Sequence, residues 1–236
     1  MAEIDCGARS TREINAELKQ WIQRGETDIV VRHPGARHNL AVAILSPARV
    51  RLEGSAGYFC AGLIDGPTIE ISGSAGWGLA ESMMNGRVVV EGNAGNGAAA
   101  AIRGGTVVIH GDAAARLGAS MKGGLVIVGG NCGYMAGFMA QKGTLIVCGD
   151  AGEAFADSMY ATTCFVGGRI ADLGTDAVLA EPTAEDIAFV DDALAAWLPP
   201  AIRGKRPPAR EFRKVVAGRK LWNFDHREWK LWQEAL

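Results

Sequence analysis

Residues 92–111 read GNAGNGAAAAIRGGTVVIHG, and the two glycines that bound this stretch lie nineteen residues apart. The same spacing runs on in both directions without insertion or deletion, through Gly35, Gly54, Gly73, Gly92, Gly111, Gly130, Gly149 and Gly168. A fixed period near twenty residues marks a repeat architecture in which each unit is one coil of a stack. Most of the chain is therefore scaffold.

Written in register, the repeats show columns. One residue after the glycine come Ser55, Ser74, Asn93, Asp112, Asn131 and Asp150. One further on are Ala56, Ala75, Ala94, Ala113, Cys132 and Ala151, and a second column, mostly glycine, follows at Gly57, Gly76, Gly95, Ala114, Gly133 and Gly152. Each unit closes on a β-type triplet, such as Val88-Val89-Val90 or Val126-Ile127-Val128. β-branched triplets bounded by Gly and Asn or Asp are strand signals. Two glycines per unit imply positive φ or very close approach of neighbouring coils. The alanines fit inward positions with room for a small side chain only, and the Ser/Asn/Asp column fits turns in which a polar side chain bonds nearby backbone.

These columns predict an all-β fold: a single-stranded, right-handed parallel β-helix of 19-residue coils, each with two short strands, and capping α-helices at both ends. A leucine-rich solenoid has a similar period but needs a Leu/Asn framework. The middle residue of each strand, Arg51, Glu70, Val89, Val108, Ile127, Ile146 and Phe165, should point away from the core. It is charged in the first two coils and apolar in the last five. An apolar outer face requires a cover, either the chain's own C-terminal segment or a partner protein.

The flanks carry helix signals. Ser10 and Glu13 form a capping-box pattern, followed by Ile14, Leu18, Trp21 and Ile22 at helical spacing and by Gly25. Pro182-Thr183 opens a second helix, with Ile187, Val190, Leu194, Trp197 and Leu198 on one face and Pro199-Pro200 as its stop. The expected organisation is an N-terminal capping helix over 1–29, the β-helix over 30–175, a C-terminal helix over 176–200 and a basic docking tail over 201–236. The tail holds Trp222, Phe224, Trp229 and Trp232. Exposed tryptophan is a liability, so these side chains are expected to dock, either on a partner subunit or on the apolar strand face.

Size and charge bound the rest. The 236 residues are 48% hydrophobic, ample for one core, and contain no run of eighteen apolar residues. With no signal-peptide pattern at the start, a cytoplasmic location is expected. Cys6, Cys60, Cys132, Cys148 and Cys164 form no CxxC pair, which fits a reducing compartment and argues against zinc or an iron–sulfur cluster in this chain. The net charge of −2 divides into +6 over 199–236 and −8 over the rest. A basic tail wrapping an acidic body or an acidic neighbour accounts for this without nucleic acid.

No catalytic constellation emerges. His33, His38, His110 and His226 are isolated, and Asp112 and Asp150 belong to the turn column. The chain contains no GxSxG, HExxH or Walker A pattern, and the loop-like Gly92–Gly97 is one coil among several. The expectation is no catalytic, cofactor-binding or metal-binding residue in this chain.

Gly130-Asn131-Cys132-Gly133-Tyr134-Met135-Ala136-Gly137 is a full GxxGxxxG unit, and Gly111-Ala114-Gly118 and Gly149-Gly152-Ala156 are partial copies at the same offsets. Over about residues 30–175 the chain resembles the GXGXG domain, the C-terminal β-helix of the glutamate synthase large subunit. Departures are Ala114, and His38 and Ala171 in the outermost coils. The resemblance implies a free-standing GXGXG subunit of a larger enzyme. The nearer likeness is to the β-helix subunit of N-methylglutamate synthase (methylamine–glutamate N-methyltransferase), with Arg219–Asp225 of the tail among its grounds. That enzyme converts methylamine and L-glutamate to N-methyl-L-glutamate and ammonia. The alternative is the GXGXG-bearing subunit of a formylmethanofuran dehydrogenase or formyltransferase/hydrolase complex. The implied partners are a glutaminase-like (class II amidotransferase) subunit and a synthase-like subunit that binds FMN and any iron–sulfur cluster. This chain would be the non-catalytic bridge between them.

Overall fold

The computed structural model describes residues 2–219. Eleven strands form one sheet: β1 (Ala2–Asp5), β2 (Asp28–Arg32), β3 (Arg49–Glu53), β4 (Asp65–Ile71), β5 (Asn85–Val90), β6 (Thr106–Ile109), β7 (Lys122–Val128), β8 (Lys142–Val147), β9 (Ala161–Val166), β10 (Ala177–Ala180) and β11 (Arg213–Ala217). From β1 to β9 each strand pairs in parallel with the next in sequence. One column of paired residues runs Val50, Ile69, Val88, Val107, Val126, Leu145, Cys164, nineteen residues per step. The chain is a β-solenoid of about seven turns, a parallel β-helix as the columns predict.

Each coil holds one extended strand, where the sequence suggested two. The second contact is a ladder of single-residue bridges linking Ala56, Ala75, Ala94, Ala113, Cys132, Ala151 and Ile170. The small residues of this column are buried at the core's edge. The arc between bridge and strand carries positive φ at alternate residues. Phe59, Ala61 and Leu63 have φ of 57°, 56° and 57°, and the pattern recurs in the following coils, for instance at Gly78, Ala80 and Ser82 and at Met135, Gly137 and Met139. The left-handed conformation costs a non-glycine residue about 1–2 kcal/mol. The N–H groups of these left-handed residues reach the coils on both sides: Phe59 and Leu63 donate forward to the carbonyls of Trp77 and Glu81, and Ala61 donates back to Leu40. Coil-to-coil hydrogen bonds, each worth about 0.5–1.5 kcal/mol net, offset the backbone strain.

The core is a stack of buried inward columns, among them Cys60, Leu79, Ala98, Leu117, Ala136 and Phe155. Helix α1 (Thr11–Gln23) closes the first coil, burying Ile14 and Leu18 in that core. Its capping box is formed, with Ser10 Oγ accepting from the Glu13 N–H and the Glu13 carboxylate accepting from the Ser10 N–H. The segment before it, expected as part of a helical cap, instead supplies β1, parallel to β2.

The apolar strand face is covered by the chain itself. Helix α2 (Ala184–Trp197), capped by Thr183 with Asp186, runs over it. Val108, Ile127, Ile146 and Phe165 form a second buried cluster with Val190, Ala193, Leu194 and Leu198. The chain then turns at Pro199, passes through α3 (Pro200–Arg203) and a 3-10 turn (Ala209–Glu211), and adds Ala209 and Phe212 to the cover. It continues into β11, which inserts antiparallel between β9 and β10. The stretch expected as a docking tail from residue 201 therefore contributes its first part to the sheet.

Candidate partner-binding surface

The repeating glycines are held by close approach. From Gly73 to Gly168 none of the eight-member ladder has positive φ, whereas Gly35 and Gly54 do. A Cβ on Gly111 would lie 2.1 Å from Asn93 Oδ1, and one on Gly130 would lie 2.1 Å from Asp112 Oδ1. The polar column explains this crowding. Each Ser, Asn or Asp reaches across to the next coil and accepts from the N–H that follows its glycine: Asp112 N to Asn93 Oδ1 at 2.8 Å, Asn131 N to Asp112 Oδ1 at 2.7 Å, Arg169 N to Asp150 Oδ1 at 2.7 Å. The bond runs between coils, not within a turn.

The departures from the glycine pattern have local causes. His38 Nδ1 accepts from the Tyr58 N–H at 2.8 Å, so His38 is a rung of the stack. His38, Tyr58 and Trp77 stack at centroid distances of 4.4 and 5.2 Å. Tyr58 and Trp77 lie over Gly76 and Gly95, where a Cβ would meet the ring at 2.6 Å. The next residue in the column is Asn96, whose Oδ1 accepts from the Ala115 N–H at 3.1 Å. Ala114, which stands where the earlier coils carry glycine, follows this ringless residue.

Among the described residues, no three His, Cys, Asp or Glu side chains are placed to share a metal ion. Burial pushes the thiols of Cys60, Cys132 and Cys148 up to about 12, and that of Cys164 higher still, so all four stay protonated. His33 pairs with Asp5 at 3.1 Å on the surface. Burial lowers the pKa of His110, against the opposing effects of Glu91 and a hydrogen bond to the Trp197 backbone. Trp222, Phe224, Trp229 and Trp232, the residues expected to dock, lie outside the described residues.

What the structure offers for binding is surface. Beyond Trp197, which receives the Arg87 guanidinium over its ring at 4.2 Å, the strand face carries Arg51 and Glu70, both half-buried, and Arg49 there holds Glu70 through two nitrogens. On the turn side of the first coils lies a different surface. Tyr58, Phe59, Leu63 and Trp77 are all exposed, Leu63 at 58%. Phe59 and Leu63 line a groove of about 330 Å³ that meets a larger hollow of about 840 Å³ between α1 and the first coil, the two sharing Asn39 and Val42. Asn15 pins this junction, donating to the Asn39 carbonyl at 2.7 Å and accepting from the Ala41 N–H at 2.8 Å. Sequence reasoning did not single these residues out. The signal was available in the columns, where Phe59 and Leu63 stand at positions that the next two coils fill with Gly, Ser or Ala.

No family model matches the chain. Among characterised sequences it is similar to Protein GlxC of Rhizobium meliloti (strain 1021), with 52% identity over 228 residues that span 95% of this chain and 97% of that protein. Such likeness over nearly the whole of both sequences includes the flanking segments as well as the coils, and on it the chain belongs to the GlxC family.

Proposed function

We propose that this chain is a non-catalytic structural subunit of a glutamate synthase-like complex. In the finer reading, the complex is of the N-methylglutamate synthase type, and the solenoid bridges a glutaminase-like subunit and an FMN-binding synthase-like subunit. The observation that carries this is the in-register GxxGxxxG coil, closed at every ladder glycine from Gly73 onward by the polar side chain of the coil before. That unit supports a likeness to the GXGXG domain over the whole solenoid. The thiols held protonated by burial, and histidines engaged in stacking or hydrogen bonds, suit a part that positions other subunits. Flavin chemistry would reside in the synthase-like partner, and this chain would set the distance and orientation between the partner sites.

The test is purification from the source cell with a tag on this chain. The expected result is co-purification of a glutaminase-like and a flavin-containing synthase-like subunit, methylamine-dependent turnover by the complex, and neither flavin absorbance nor turnover in the isolated chain. Turnover by the isolated chain overturns the scaffold reading. Co-purification of one-carbon formyl-transfer subunits instead overturns the glutamate synthase assignment.

A further inference from the structure

We infer that the groove between α1 and the turn side of the first coils docks an acidic, apolar-faced segment of a different subunit. The inference rests on the reading of this chain as a bound subunit, though not on which complex it belongs to.

The first ground is that the apolar bulk is not needed by the fold. Phe59 and Leu63 hold left-handed backbone with φ of 57°. One coil on, the same positions are Gly78 and Ser82; then Gly97 and Ala101; then Arg116 and Ser120, before methionines return at Met135 and Met139. The arc is built equally well by small or polar residues, which carry no large apolar surface into water. Two strained, exposed, large apolar side chains side by side, next to exposed Tyr58 and Trp77, point to a contact outside the coil. Aromatic and large apolar groups around a hollow are the usual anchors of a protein interface.

The second ground is charge. The part of the chain before residue 199 is acidic, with 14 basic and 22 acidic side chains. Yet Arg12, Lys19 and Arg37 line the α1 hollow, and the adjoining groove has one carboxylate, Glu81. Arg37 is fixed by carbonyls of Gly7, His33 and Pro34. Arg12 and Lys19 make no ion pair among the described residues. A basic hollow continuous with an apolar groove is complementary to a segment whose Leu, Phe or Met side chains are flanked by Asp or Glu.

That complementarity decides against a two-fold copy of this chain. An isologous contact would set this basic hollow against the same basic hollow. The occupant is therefore another subunit.

The test uses the tagged full-length chain in its native complex, with the photo-crosslinking residue p-benzoylphenylalanine at Leu63 and, as a control on α2, at Phe189. The expected result is an adduct at position 63, absent at 189, whose crosslinked peptide belongs to another subunit and combines acidic and large apolar residues. The paired variant Arg12→Glu/Lys19→Glu should lower its yield at least tenfold at unchanged melting temperature, and raising the salt concentration should lower it too. An adduct to a second copy, an adduct to residues 220–236, no adduct, or a yield indifferent to the charge reversal each overturns the inference. The two readings separate cleanly. An acidic segment of a subunit that is neither glutaminase-like nor flavin-binding keeps the docking groove and overturns the proposed complex. Co-purification of both expected subunits without an adduct does the reverse.

Discussion

The solenoid presents apolar side chains outward on its strand face and on the turn side of its first coils, and they meet different fates. On the strand face Val108, Ile127, Ile146 and Phe165 are sealed under α2 and the returning segment. On the turn face Phe59, Leu63 and Trp77 are exposed. Both sets sit at columns of a repeat, and in both the polar or small alternative occurs elsewhere in the same column. The difference is a cover supplied in cis. An apolar column announces a contact without saying which chain provides it, and the packing distinguishes the two.

The comparison breaks first at the covered face. Phe165→Ala removes a ring held between the last coils and Phe212, Val190 and their neighbours. Large aromatic truncations in cores cost about 3–5 kcal/mol. Urea unfolding should show that loss, with α2 released. A cost under about 1 kcal/mol would mean that α2 rests on the rod without stabilising it.

The glycine ladder comes next. Gly111→Ala places a methyl 2.1 Å from Asn93 Oδ1 and 2.9 Å from the Gly92 carbonyl, against the bond from the Asp112 N–H. Overpacking and the lost bond together should cost about 2–3 kcal/mol. Asn93→Ala clears part of the space, so the double variant should lose less than the sum of the two singles, by about 1 kcal/mol in a thermal-melt cycle. Strict additivity would show that the side-chain clash is not what fixes glycine here.

How much of this was legible follows from what each feature depends on. The period, strand triplets and core columns are local and repeated, so they can be read from residues alone. So can the capping boxes of Ser10 and Thr183, although the second pairs with Asp186 at the N3 position. The alternating left-handed arc was hidden because Ala, Ser and Met at those positions have no preference for positive φ. Only the inter-coil hydrogen bonds impose it. β11 was hidden because Arg213–Ala217 pairs with residues nearly fifty positions earlier, and nothing in its own sequence sets it apart from a basic linker. The turn-face groove needed both α1 and the coils in place before its walls came together.

The clamp at the start of α2 gives a smaller effect that depends on pH. Asp186 pairs with Lys214 on β11 at 2.7 Å and caps its own helix through Thr183. Burial raises its pKa, but the Lys214 and Thr183 hydrogen bonds outweigh it, leaving the carboxyl below the usual value. The unfolded chain then binds the proton more readily, so this stabilisation is present above the ordinary aspartate pKa and is lost as pH falls through the lower, folded value. Asp186→Asn should cost about 1 kcal/mol at neutral pH. It should also flatten the acid limb of stability measured from pH 6 to pH 3. An unchanged acid limb would show that other carboxylates set it.

The exposed face should respond least. Leu63 is at left-handed φ, 58% exposed, at the position where the following coils carry Ser82, Ala101 and Ser120. Leu63→Ser gives this coil the residue of the next, so its effect on chemical denaturation should stay within about 0.5 kcal/mol. Leu63→Gly should be neutral or slightly stabilising, since glycine relieves the positive φ while its greater freedom in the unfolded chain works the other way. A loss of 2 kcal/mol or more from either variant would make the turn face part of the fold's own packing, erasing the distinction from the strand face. If stability holds, the leucine is dispensable to the coil, and the reason for its presence in water lies in a contact outside the coil.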